Sequence, residues 1–214
     1  MTAETLLAGL ERAVARMEAE LRRHGPFAAT VAVERHRTPH PRGQLAFRVR
    51  ARFPWMREPD CSLKVEVALG EPLLAAPAVR ALIHEFPGET LAVTLAVYAL
   101  EEIAAEKLRA FLQARQHRRE RGWARSRPRD LYDLWYLRAR ASMPIAWERV
   151  GALLSAKAAA YGLGYSDEAD FLDAALLETL HRDWHAQLGR LAVQSVPFAE
   201  ALATVRELLR DVVR

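Results

Sequence analysis

The apolar residues of this chain change their spacing twice along its length, and that change limits the fold more than any single motif does. Between residues 3 and 24, Leu6, Leu7, Leu10, Val14, Met17 and Leu21 recur at three- and four-residue steps, with Arg and Glu on the other faces. This is the spacing of an amphipathic helix, and Gly25-Pro26 ends it. The spacing then falls to two. Val31 and Val33 alternate within 28–37, Leu45, Phe47, Val49 and Ala51 within 44–53, and Leu63, Val65, Val67 and Leu69 within 62–69. With turn signals at His40-Pro41-Arg42-Gly43 and Glu58-Pro59-Asp60, these runs predict an antiparallel meander with one solvated face. Residues 72–97 are mixed, with a β-rich stretch from Glu89 to Val97 that predicts one more short strand. From Tyr98 the spacing is helical again, over 98–116, 129–138, 145–161, 166–193 and 198–213. Pro128, Gly162, Gly164 and Val196-Pro197 mark boundaries between these helices. One helix, a small and mostly antiparallel sheet, then a helical C-terminal half is an α+β arrangement. The expected parts are 1–116 (α+β) and 117–214 (helical).

Composition narrows the class. Of 214 residues, 51% are hydrophobic, enough for a packed core. No apolar run approaches the roughly 20 residues that cross a bilayer. The first residues lack the pattern of a secretion signal. Cys61 is the sole cysteine, so no disulfide can form within the chain and a reducing cytoplasm is the natural setting. A net charge of +4 is too mild to imply a nucleic-acid partner by itself. The placement of the arginines says more.

Four constellations can carry chemistry. Lys64 and Glu66 fall on one side of a strand, where a carboxylate can ligate Mg²⁺ shared with substrate phosphates. The same alternation describes a plain wet strand face, and alone it favours that reading. Glu102, Glu106 and Lys107 lie on one helix, where Lys107 can neutralise triphosphate charge; an acidic first turn that suits the helix dipole is the simpler explanation of the glutamates. Asp130 and Asp133, three apart, share a helix face after Arg129. Either can hold a metal, act as a base or fix an arginine, and Asp130 can equally cap its own helix. Finally Arg115, Arg118, Arg119, Arg121, Arg125, Arg127 and Arg129 surround Trp123 with only Glu120 in opposition. Arginine forks bind phosphates and a ring can stack a base, while charge runs are often only solvated faces. Asp167-Glu168-Ala169-Asp170 spells a helicase box without a phosphate loop before it, and reads as the acidic start of a helix.

Together, Leu63-Lys64-Val65-Glu66-Val67, the block from Leu100 to Ala110 and Arg129-Asp130-Leu131-Tyr132-Asp133-Leu134 resemble the nucleotidyltransferase-type toxins of the AbiEii/AbiGii family, in order and in approximate spacing. The resemblance implies a DNA-polymerase-β-like nucleotidyltransferase fold with a helical C-terminal half. It also implies transfer of a nucleotide from an NTP, with Mg²⁺, to RNA such as the acceptor end of tRNA, in a toxin–antitoxin or abortive-infection system with a cognate antitoxin. By motif, Glu66 matches the third carboxylate of the sheet and a metal ligand, Lys107 the lysine that contacts the nucleotide, and Asp130 and Asp133 the acidic pair. Lys64, Arg125, Arg127 and Arg129 join them as expected nucleotide or phosphate contacts.

The family also carries a Gly-Gly-Ser/Thr turn and an Asp-x-Asp strand near its N-terminus, and this sequence contains neither Gly-Gly nor Asp-x-Asp. In-line transfer needs metals on both the attacking and the leaving oxygens, which Glu66 alone cannot hold. The expectation is a chain incomplete at its N-terminus and inactive alone, through a misassigned start, a degraded gene or a separately supplied piece. A second copy or another partner is expected on the exposed edge left by the absent block. The alternative is a binding module that uses the Arg-rich 115–129 loop on RNA or protein.

Overall fold

The computed structural model describes residues 2–23, 30–35, 45–57, 61–68, 71–83, 92–189 and 195–213. Its elements are α1 (Ala3–Arg23), β1 (Thr30–Arg35), β2 (Leu45–Arg52), β3 (Cys61–Val67), β4 (Ala78–Ala81), β5 (Thr94–Val97), α2 (Leu100–Arg121), α3 (Pro128–Ala139), α4 (Trp147–Ala160), α5 (Ala174–Leu188) and α6 (Phe198–Val212). The class is α+β, as the change of apolar period requires. The chain divides into two compact units, Met1–Pro72 and Leu73–Arg214. The boundary expected between residues 116 and 117 lies inside α2, which continues through Arg121 to Gly122. There a left-handed φ of 76° lets the Gly122 N–H reach the Arg118 carbonyl and close the helix.

In the first unit, β1, β2 and β3 form the expected antiparallel meander in the order β1-β2-β3. Phe47 pairs with Arg35 on one side and Val65 on the other, which fixes the register. The expected turns at 40–43 and 58–60 and the helix stop at Gly25-Pro26 lie outside the described residues. Leu63, placed by alternation on the buried side of β3, is 63% exposed. β3 stands at the end of the strand order, where only one flank of a strand is covered.

In the second unit, β4 and β5 make a separate antiparallel pair. The strand expected in 89–97 is β5; its partner β4 was not legible, because Ala78–Ala81 is short and lacks alternation. The helices enclose one core. α2 contributes Leu108, Phe111 and Leu112, α3 Leu131, Leu134 and Trp135, α4 Val150 and Leu154, α5 Leu176, Leu180 and Trp184, and α6 Val205, Leu208 and Leu209. Gly151 permits close approach of α4 to α6, since a Cβ there would stand 2.7 Å from the Val212 carbonyl oxygen. The single helix expected over 166–193 is two elements. Asp167 caps a short 3-10 turn at Glu168–Asp170 through a reciprocal capping box with Asp170, and Asp173 then caps α5 by accepting from the Leu176 N–H. Each aspartate side chain competes for the backbone and restarts the helix.

A buried ion network holds the front of α2. Glu102 and Lys157 are 0% and 1% exposed. The Lys157 ammonium lies 2.8 Å from Glu102 Oε1 and 2.7 Å from Glu106 Oε1. The Glu102 carboxylate also accepts from the N–H groups of Leu74 (3.0 Å) and Ala75 (3.1 Å), which ties the chain entering β4 to α2. Arg109 continues the network, donating to Glu106 and Gln113 while its guanidinium covers the Tyr161 ring at 4.2 Å. Burial alone would raise the Glu102 pKa, but the hydrogen bonds from Lys157, Leu74 and Ala75 outweigh it and hold the carboxyl below its ordinary range. Burial would likewise lower Lys157; the two glutamates outweigh it and raise the lysine.

Removing one partner leaves a buried charge uncompensated. Lys157→Ala is expected to cost about 3–5 kcal/mol in urea denaturation. In the wild type, Glu102 stabilises the fold at neutral pH, and its contribution is lost as pH falls below the ordinary glutamate range through its depressed value. The raised Lys157 contribution is complete up to the ordinary lysine range and lost only as pH rises beyond it. The acid limb of the stability profile should therefore flatten in Glu102→Gln; an unchanged limb would refute this assignment.

Candidate active site

The second constellation and the third meet. Lys107 leaves the second turn of α2 toward the first turn of α3. Its ammonium lies 2.5 Å from Asp133 Oδ2 and 3.3 Å from Asp130 Oδ1. Arg127 donates to the other oxygen of Asp130 at 3.0 Å. Pro128 opens α3 with its ring preset for the first turn, and this places Asp130 and Asp133 on one face while Leu131, Leu134 and Trp135 go to the core. Asp130 does not cap its helix: α3 has no side-chain cap, and both carboxylate oxygens of Asp130 are taken by cations. The side chains of Lys107 and Asp130 are each 21% exposed and that of Asp133 is 43% exposed, so the cluster sits at the surface with Asp133 on its open side.

The other sequence-predicted residues are placed differently. Lys64 and Glu66 share a face of β3 and pair with each other at 2.6 Å, both about half exposed, within the first unit. Arg125 and Arg129 are exposed, with no carboxylate partner among the described residues. The expected arginine loop is largely helix, since Arg115, Arg118, Arg119 and Arg121 belong to α2. Two of them are structural. Arg115 pairs with Asp170 and donates to the Gly164 carbonyl at 2.8 Å, and Arg118 pairs with Asp173 at 2.6 Å. Burial lowers the Arg115 pKa, and the neighbouring charge of Arg119 lowers it further. Both carboxylates come from 55 residues away, so the local sequence, which offered only Glu120, could not show them.

Sequence reasoning also missed Lys157. A signal was present: it occupies the core stripe of α4 with Val150, Leu154 and Ala158, in a chain whose cations are overwhelmingly arginine. A lysine on an apolar helix face calls for a buried carboxylate.

The described elements make an α+β frame in which a lysine from one helix meets an aspartate pair on the next. The chain belongs to the AbiEii family: the family model for the nucleotidyl transferase AbiEii toxin of type IV toxin–antitoxin systems matches residues 2–204. Among solved structures it is similar in fold to MenT4, a nucleotidyltransferase toxin from Mycobacterium tuberculosis H37Rv, with a TM-score of 0.54 and 24% identity. That match covers 87% of this chain and 58% of the MenT4 chain. No curated protein sequence matches the chain.

The Lys107 cluster contributes little to folding, because its members are partly solvated and water competes for the ions. Lys107→Met and Asp133→Asn are each expected to shift the unfolding free energy by at most about 1 kcal/mol. A loss comparable to that of Lys157→Ala would show the cluster to be a structural tie.

Proposed function

We propose that this protein acts as a nucleotidyltransferase toxin in the cytoplasm, moving a nucleotide from an NTP onto RNA, with tRNA as the acceptor that the family resemblance implies, under restraint by a cognate antitoxin. The observation that carries the reading is the Lys107 ammonium held between Asp130 and Asp133, which are 23 and 26 residues away in sequence. In nucleotidyl transfer an acceptor hydroxyl oxygen bonds to the α-phosphorus and gives up its proton to solvent, the bond from the α-phosphorus to the bridging oxygen breaks, and pyrophosphate leaves with that oxygen and the charge. Lysine is a compact cation with three donors, suited to neutralise that charge. Asp133, the more exposed partner, is the one an incoming phosphate displaces. Arg127 keeps Asp130 oriented while this happens, and Arg125 and Arg129 are available to phosphates at the surface.

Magnesium enters this reading as the ion that accompanies a triphosphate. Among the described residues no group of three or more His, Cys, Asp and Glu side chains is placed to hold a metal ion. The point between Asp130 and Asp133 belongs to an ammonium, and Glu66 pairs with Lys64, so we route no step through a metal on this chain. No helix among the described residues is long and apolar enough to cross a membrane.

One observation favours a second reading, a non-enzymatic RNA-binding module. Trp123 is 65% exposed in a stretch of chain that also carries the exposed Arg119, Arg121, Arg125 and Arg129, a ring and cations suited to a nucleic-acid strand. Purified protein mixed with labelled NTPs, Mg²⁺ and total tRNA separates the two. Label is expected on RNA, with Lys107→Ala reducing transfer by about 100-fold or more while leaving the fold intact, and Glu66→Ala reporting on the first unit. No transfer, combined with salt-sensitive retention of RNA, would favour the binding module instead.

A partner is also part of this proposal. Val79, Ile83 and Leu95, on and beside β4 and β5, are 70%, 89% and 50% exposed, and among the described residues β4 and β5 pair only with each other. A dimer or a larger assembly is expected by light scattering; a monodisperse monomer at micromolar concentration would count against self-association.

A further inference from the structure

A groove of about 290 Å³ opens where the C-terminal half of α2 meets the turn after α4, lined by Leu112, Arg115, Gln116, Arg119, Leu163 and the glycines Gly162 and Gly164. Its features point to an anionic ligand. Arg115 is held in place by Asp170 and the Gly164 carbonyl, which use two of its five N–H donors. Asp170 is itself shared, since its second oxygen accepts from the Ser166 N–H and hydroxyl. Arg119 lies one helical turn beyond Arg115, is exposed, and has no carboxylate partner among the described residues. Burial first and then the charge of Arg119 depress the Arg115 pKa, while Asp173, which pairs with Arg118, and Asp167 act the other way. The facing wall is a turn with glycine at 162 and 164 and the core residue Leu163 between them. Gly162 has a left-handed φ of 63°, and a Cβ built on either glycine meets nothing within 4 Å.

We propose that this groove is a phosphate-binding site: the Arg115–Arg119 pair receives a phosphoryl group, and the rest of the ligand lies along the Gly162–Gly164 turn. Paired guanidiniums bind phosphate oxygens with directional forks. The volume is at the lower end of small-molecule sites, and suits a free phosphate ester or one phosphate of a polynucleotide. The groove is separate from the Lys107 cluster. Arg115 follows Lys107 by eight residues on one helix, about 12 Å along its axis. The proposal does not depend on what that cluster does.

The test uses the full chain and titration calorimetry with three probes: inorganic phosphate, AMP and a short RNA oligonucleotide. Arg119→Gln removes the unpaired cation. Gly164→Leu fills the groove at a position with ordinary φ, and Gly164→Ser serves if the leucine variant fails to fold by circular dichroism. Each variant is expected to weaken binding about tenfold or more, while Arg149→Gln, at an exposed arginine of α4 outside both sites, leaves it unchanged. Binding of phosphate or AMP with this dependence identifies a small-ligand site; the same dependence for RNA alone identifies a contact to a polymer phosphate. No saturable binding of any probe, sensitivity to only one of the two groove positions, or loss in Lys107→Ala alone would overturn the assignment. In particular, sensitivity to Arg119→Gln with Gly164→Leu silent would place the anion on the outer face of α2.

Discussion

The second unit depends on a buried lysine. α2 has buried positions on nearly every face, including Glu102, Arg109 and Gln113 as well as its apolar residues. A helix so enclosed cannot leave a carboxylate unpaired, because the cost of a lone buried charge exceeds what the surrounding packing supplies. Lys157 answers two glutamates of α2 at once, and the Leu74 and Ala75 N–H groups complete the shell of Glu102. Such bonds are directional, so they fix the rotation of α2 against α4 in a way that apolar contacts alone do not.

That rotation is what presents the candidate site. Glu106 and Lys107 are neighbours in sequence, about 100° apart around the helix. With Glu106 turned toward Lys157, Lys107 is turned toward α3 and its aspartates. The two ion clusters then differ in kind. The Lys157 cluster is sealed and its partners are permanent. The Lys107 cluster is partly exposed, and Asp133 is its most exposed member. A carboxylate tied into the core and a partly exposed ammonium thus occupy adjacent positions of one helix.

Much of this was legible in the sequence. The apolar period located α1, α3, α4, α6 and the strands of the meander to within a few residues, since burial on one face leaves a periodic trace whatever the tertiary partner. Lys107, Asp130 and Asp133 were legible as a set through motif spacing, and they do meet. The misreadings have a shared cause. The arginines from 115 to 121 looked like a loop because their carboxylate partners, Asp170 and Asp173, are remote in sequence. The stretch from Ser166 looked like one helix because composition does not say which aspartate will turn back onto its own backbone. Leu63 looked buried because alternation does not report whether a strand stands at the end of a sheet.

The sequence by itself determined the α+β class, the order of elements and the family, since these follow from short-range periodicity and from residue types at fixed spacing. Only the tertiary structure decided which charges are sealed in the core and which lie at the surface. Lys157 and Lys107 are each a lysine on a helix near acidic residues; burial and the approach of a second helix make one a permanent tie and the other an accessible cation. Those differences arise from contacts between segments far apart in the chain, whose energies depend on solvent exclusion, and a linear sequence does not display solvent exclusion.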